Sequence, residues 1–277
     1  MNLLHYLERI GFDQTPRPTL KCLVAIHRAQ AFSIPYENLD VQFGRRLDFD
    51  LERIFDKIVT RARGGWCYET HILLEWALRE IGFDVLTVAA GIHRDEQGDG
   101  TIGCHTALLV GLDQTYLADL GLGDGIRDPI PLVEGTYVQG PLSFRLERLD
   151  DGFWRFHNHA FAYPRNFDFR DEPADWDRIG QHNERQQTDP SATLVANLVC
   201  QLMLPGSAIC LTGRLLRRKS HSGTTKRLLS EAEFESLLFT VFGLRDKDLQ
   251  SLWPKVAARH EVLFGGQAAR QIDFQGF

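Results

Sequence analysis

Apolar residues recur at helical spacing through the first third of the chain and then switch to alternation. In "NLLHYLERIG" the residues Leu3, Leu4, Tyr6 and Leu7 are read as one face, and "TLKCLVAIHRAQAFS" repeats the habit until Pro35 stops it. "DLERIFDKIVTRA" offers Asp50 as an N-cap and Leu51, Ile54, Ile58 and Val59 as a buried stripe. A further helix is expected from Cys67 through "YETHILLEWALREIG", with Tyr68, Ile72, Trp76 and Ala77 in phase and Gly82 as its stop.

Beyond residue 84 the period falls to two. "FDVLTVAAGIHR", "HTALLVGL", "TYLADLGLG", "GTYVQG", "SFRLERL" and "GFWRFHNH" are rich in β-branched and aromatic residues and separated by Gly, Asp and Pro, which predicts antiparallel strands. The tail mixes strand-like "SAICLTGRLLRR" and "TTKRLLS" with helical "EAEFESLLFTVFG" and "KDLQSLWPKVAARH". The fold class is therefore α+β in three segments: helical over 1–84, β-rich over 85–195, and mixed over 196–277.

Composition narrows the function classes. Of 277 residues 43% are hydrophobic and 25% charged, as in ordinary globular proteins, and the net charge of −6 gives no basic field for nucleic acid. The sequence lacks an apolar run of about 18 residues, so no membrane partner is expected. "MNLLHYLERIGFDQ" carries acidic residues and no basic leader, which predicts a cytoplasmic protein. Cys22, Cys67, Cys104, Cys200 and Cys210 are widely spaced without a CxxC pair, so reduced thiols and no metal site are expected. Arg214, Arg217, Arg218, Lys219, Lys226 and Arg227 flank the turn "SHSGTT" and are read as a solvated hairpin in preference to a phosphate site.

The candidate chemistry centres on "RARGGWCYET". Gly64 and Gly65 would let the backbone turn sharply and approach a substrate, aiming Cys67 and clearing its front. A cysteine in the first helical turn faces free N–H groups and the positive end of the helix dipole, which favours the thiolate and supplies donors for an oxyanion. Two histidines compete as its base: His71, one turn on, and His105, at the start of "HTALLVGL". Because "GLDQT" lacks an Asn-Gly or Asp-Gly signal, a three-residue loop over Leu112 to Gln114 is preferred. That register sets His105 opposite Gly121 and Asp119 opposite Ala107, so His105 and Asp119 share a face as diagonal neighbours. His105 thus has a carboxylate to fix its tautomer and is preferred, with His71 the rival.

"RGGWCYE", "HTALLV" and "YLADLGLGDG", in that order, together with "IPYENLD" and "QQTDPSATLVANLVCQ", resemble the arylamine N-acetyltransferases. The resemblance implies a helical bundle and a β-barrel forming a papain-like or transglutaminase-like core, with a C-terminal α/β lid. It implies an acyltransferase that moves an acetyl group from acetyl-coenzyme A to an arylamine or arylhydrazine, by a ping-pong route through an acetyl-cysteine. Carried over by position, Cys67 is the nucleophile, His105 its base and Asp119 the residue orienting His105. Gly123 and Cys104 fall at cofactor-side positions, and Tyr36, Leu122 and Thr193 at substrate-pocket positions where the family commonly has phenylalanine. "DLGLG" in place of "DVGFG" implies a pocket with less aromatic stacking. Other readings remain open: an amide synthase using another acyl thioester, a thiol hydrolase, or a metabolite-binding protein.

Overall fold

Short polar side chains start the helices where the sequence places them. Asn2 accepts the Leu4 N–H and opens α1 (Leu3–Ile10), which Gly11 closes at φ 71°, and Thr19 caps α2 (Leu20–Ser33). The two-residue strand β1 (Tyr36–Glu37) and the single turn α3 (Leu39–Gln42) follow. Asp50 caps α4 (Leu51–Phe55), which continues as one π-turn over Asp56–Thr60. The long helix α5 (Cys67–Ile81) begins at the candidate thiol and ends at Gly82, φ 101°. One expectation fails on α1: Leu4 is 66% exposed, because the buried face is centred on Tyr6, Leu7 and Ile10 and Leu4 stands about 100° away from Leu3.

The computed structural model describes residues 1–268 and 271–272; the rest of the expected third segment lies outside the described residues. Its middle part is β2 (Asp84–Ile92), the turn α6 (Arg94–Gln97), β3 (His105–Gly111), β4 (Thr115–Ala118), β5 (Ile130–Pro131), β6 (Gly135–Gln139), β7 (Leu142–Arg148), β8 (Trp154–His157) and β9 (Asn166–Phe169). These eight strands form one nearly closed antiparallel sheet in the order β5-β4-β3-β2-β9-β8-β7-β6. Next come α7 (Trp176–Thr188), α8 (Thr193–Ala196), β10 (Val199–Leu204), β11 (Ser207–Thr212), β12 (Leu215–Ser220), β13 (Gly223–Leu228), α9 (Glu231–Phe242) and α10 (Trp253–Phe264). The last four strands make an antiparallel meander that β1 joins at the β10 edge. Among the described residues no helix is long and apolar enough to cross a membrane.

β3 is buried on both faces, which explains its unbroken apolar run. Leu108 and Val110 meet the helices with Leu73, Leu74 and Ala77, whereas Ala107 and Leu109 face the sheet interior with Phe156 and Phe167. β3 pairs with β4 as Gly111↔Thr115 and Leu108↔Ala118, leaving Leu112 to Gln114 as the loop, in the register expected from the turn sequence. A third core joins Leu39 to Cys200, Leu211, Phe234 and Leu238.

The basic hairpin departs from its expected solvated form. Arg217 and Lys219 are buried on the inner face of β12, where Lys219 Nζ lies 2.8 Å from Asp124, while Arg218 and Arg227 point outward. Strand alternation sends every second charge inward, and a carboxylate far away in sequence compensates one of them.

Candidate active site

The two glycines ahead of the thiol make room for backbone, not for substrate. Both lie outside the left-handed region, and a Cβ on Gly64 would collide with the Pro35 carbonyl, while one on Gly65 would meet Glu69 Cβ and Ile58 Cδ1 at 3.0 Å. The bareness of Gly64 lets Pro35 and Glu37 lie against it and that of Gly65 admits Glu69 and Ile58, while Gly65 N–H donates to Pro35 O at 3.2 Å and Glu37 N–H to Gly65 O at 3.1 Å. Glu69 then accepts the Trp66 N–H at 3.2 Å and both holds and is held by Lys57, at 2.9 Å. The start of α5 is thereby fixed from outside as well as within. Arg63 extends the same buried cluster, with Glu37 at 2.7 Å, Asp40 at 3.3 Å and Asp246 at 3.1 Å.

Cys67, His105 and Asp119 are all buried. His105 Nε2 lies 2.9 Å from Asp119 Oδ2, and Asp119 Oδ1 accepts the Gly121 N–H at 2.7 Å. An ionised Asp119 therefore takes the proton on Nε2 and leaves the His105 Nδ1 lone pair free; that nitrogen is buried with no protein partner. Burial pushes the Asp119 carboxyl up, but His105 outweighs it and holds it well below the usual carboxylate range. For Cys67 the balance goes the other way. Burial pushes the thiol well up, Cys104 and Asp119 add to this, and the N–H groups of Tyr68 and Cys67 pull it down only in part. The helix terminus alone does not ionise this sulfur, contrary to the expectation from position. Ionisation needs a partner that takes the proton and stays beside it.

Gly121 is the functional residue that sequence reasoning missed. A Cβ there would lie 2.6 Å from His71 Cε1, 2.7 Å from Cys67 Cβ and 2.8 Å from His105 Cε1, so its bare Cα is the common contact of all three side chains. Its pairing position opposite His105 was the available signal. His71, the rival base, is engaged by Thr106 Oγ1 at 2.9 Å and the Leu120 N–H at 2.9 Å, and its Nε2 also lies 3.2 Å from Asp119 Oδ1.

A cavity of about 370 Å³ opens at Cys67 and His105, which line it with Tyr36, Cys104, Leu122 and Thr193 among others. Its walls come from all three sequence segments. Residues 19–249 match the N-acetyltransferase family profile. Human arylamine N-acetyltransferase 1 is 30% identical, with 94% of this chain and 98% of that protein aligned. The chain belongs to the arylamine N-acetyltransferase family.

Solved family structures agree with the fold. The Mycobacterium smegmatis arylamine N-acetyltransferase superposes with a TM-score of 0.84 at 30% identity, covering 93% of this chain and 98% of that one. The Mycobacterium marinum enzyme, in complex with CoA, gives 0.80 at 27% identity, covering 93% and 98%. Within this family member, Tyr36, Leu122, Thr193 and Cys104 reach the cavity, whereas Gly123, φ 71°, stands behind the cavity-lining Gln201, whose side chain would meet any Cβ placed there. Burial pushes the Cys104 thiol up to about 11, and its sulfur accepts the Ile92 N–H at 3.3 Å. Among the described residues, His93, Asp95 and Glu96 have potential metal-ligand atoms within 4.8 Å of one another, although Asp95 already accepts from Asn166 at 2.8 Å.

Proposed function

We propose that this arylamine N-acetyltransferase works by a ping-pong route through an acetyl-cysteine at Cys67, with acetyl-coenzyme A as donor and an arylamine or arylhydrazine as acceptor. The observation that carries it is the placement of His105, with one ring nitrogen on a buried carboxylate and the other free beside the cavity that Cys67 lines.

His105 Nδ1 takes the Cys67 proton, forming a thiolate–imidazolium pair that Asp119 supports. The thiolate attacks the thioester carbonyl carbon, the N–H groups of Cys67 and Tyr68 hold the developing oxyanion, and the carbon–sulfur bond to coenzyme A breaks. The departing thiolate collects the proton from His105. In the second half-reaction the amine attacks the acetyl carbon, His105 receives a proton from the nitrogen, and the Cys67 thiolate leaves as the amide forms. An alkyl amine with a pKa near that of lysine, about 10.4, would arrive protonated, whereas an aromatic amine or hydrazine arrives neutral and nucleophilic.

The cavity's composition supports the finer assignments. Tyr36, Leu122 and Thr193 would contact the acceptor, with one ring among them, so flat acceptors are held by shape more than by stacking. Cys104 would lie on the coenzyme A side, and Gly123 would act there through Gln201. The helices and the eight-stranded sheet would form the papain-like or transglutaminase-like core, with the C-terminal α/β part as its lid.

Intact mass spectrometry after brief incubation with acetyl-coenzyme A, and then with an arylhydrazine such as hydralazine, tests this. One acetyl mass mapped to Cys67, discharged by the hydrazine and missing in Cys67→Ala, is the expected result. Full turnover by Cys67→Ala would sink the reading, and an adduct that water discharges as fast as the hydrazine would make the protein a thiol hydrolase.

A further inference from the structure

His71 is 1% exposed, sits one turn beyond Cys67 on α5, and has no part in the steps above. Its ring has three neighbours. Nδ1 lies 2.9 Å from Thr106 Oγ1, Nε2 accepts the Leu120 N–H at 2.9 Å, and the same Nε2 is 3.2 Å from Asp119 Oδ1. One nitrogen cannot serve the last two at once, since accepting from Leu120 needs a lone pair and bonding to Asp119 needs a proton. The Leu120 hydrogen is fixed in direction by the backbone and points at Nε2. That nitrogen is therefore bare, and the ring proton sits on Nδ1, donated to Thr106. Burial outweighs the pull of Asp119 and lowers the imidazole's proton affinity, which keeps the ring neutral.

Leu120 lies between the two residues whose placement matters. Asp119 accepts from His105 and from Gly121, and Gly121 packs where His71, Cys67 and His105 meet. We propose that His71 is a positioning residue: as a neutral acceptor it clamps the Leu120 N–H, and through that turn holds Asp119 and Gly121 against His105 and Cys67. The inference rests on the triad reading above. With the proton on Nε2 instead, the Leu120 N–H would lose its acceptor and Asp119 would gain a donor competing with His105. The Leu120 N–H selects the tautomer that avoids this, and Thr106 Oγ1 accepts the proton that this tautomer carries on Nδ1. The titratable groups acting on His71 are Asp119 and His105 from the sheet, Glu75 on α5 and His27 on α2, and Asp119 is the one within 3.2 Å.

Replacement by glutamine keeps an amide oxygen near the Nε2 position, whereas leucine keeps none. The measurements are kcat and KM for acetyl transfer to an arylhydrazine, and the pH profile of Cys67 alkylation by iodoacetamide. For His71→Leu, kcat should fall about 100-fold with KM for acetyl-coenzyme A within about threefold, the scale expected for a small misplacement of reacting groups. The alkylation profile should move to higher pH, and His71→Gln should recover kcat to within about tenfold of the parent. Thr106→Val should move the profile in the same direction by less.

A parent-like profile in His71→Leu overturns the proposal. So do equal losses in the Leu and Gln variants with lower thermal midpoints and an unmoved profile, which would make His71 a packing residue. If His71→Leu fails to fold, a parent-like alkylation profile in Thr106→Val overturns it instead. Acetyl-cysteine formation in the parent separates the two failures: without it the triad reading falls, and with it an unmoved set of variants removes only the role of His71.

Discussion

Asp119→Asn exchanges one oxygen for an amide group and removes one negative charge from a buried site. With Oδ2 at 2.9 Å from His105 Nε2, the carboxylate and imidazolium charge centres lie about 4 Å apart. At the effective dielectric that suits protein sites, this attraction is about 4 kcal/mol. Losing it shifts the proton-transfer equilibrium from Cys67 to His105 by a factor of about 10³, at 1.4 kcal/mol per tenfold. The side-chain oxygen of asparagine can still accept the Gly121 N–H, so the turn and the fold should persist. The second-order rate of Cys67 alkylation by iodoacetamide at pH 7 reads that equilibrium directly, because the thiolate is the nucleophile. A fall of about three orders of magnitude, with a thermal midpoint within a few degrees of the parent, is expected. Alkylation within about fivefold of the parent would refute the view that an ion pair held by Asp119 supplies the thiolate.

Three further outcomes follow from the packing. Gly121→Ala should fold with a lowered thermal midpoint and lose about 100-fold or more in kcat, since its methyl would lie 2.6–2.8 Å from the three side chains it separates; near-parent kinetics would count against that contact. Arg63→Met leaves Glu37 and Asp40 buried without their guanidinium and should cost about 3–5 kcal/mol in urea unfolding, whereas a loss under about 1 kcal/mol would show the cluster to be expendable. For Asp40, burial raises the carboxyl pKa, but Lys57 and Arg63 outweigh it and bring it down to about 2. Its folded pKa lies below the unfolded value of about 3.9, so its contribution is full above about pH 4 and is lost as pH falls through 2. Asp40→Asn should flatten the fall in thermal midpoint between about pH 4 and 2, and an unchanged acid limb would contradict the assignment.

What the sequence disclosed was mostly local. The three-residue loop at Leu112 to Gln114 follows from the absence of a tight-turn dipeptide, and it brings His105 and Asp119 to one face. Caps at Asp50 and Gly82 were equally local. What escaped depends on partners distant in the chain. Gly64 and Gly65 read as a sharp turn that clears the front of the thiol, yet their bareness serves Pro35 and Glu69. Arg217 and Lys219 looked solvated because Asp124, which meets Lys219, is remote in sequence. β1, two residues long, is too short for periodicity to register, β9 is buried at all four positions and so does not alternate, and α7 presents only Ile179 and Asn183 as buried residues.

β1 also bears on how the protein is made. Asn38, just beyond that strand, donates to the Asn197 carbonyl and accepts from Val199, across 159 and 161 residues. Cys67, His105 and Asp119 all precede β10 in the chain, and β10 supplies Val199 and Gln201 to the wall of the cavity beside them. A nascent or truncated chain would therefore hold Cys67 next to an unfinished wall. A chain cut short before β10 would carry Cys67, His105 and Asp119 without the part of the cavity wall that Val199 and Gln201 supply.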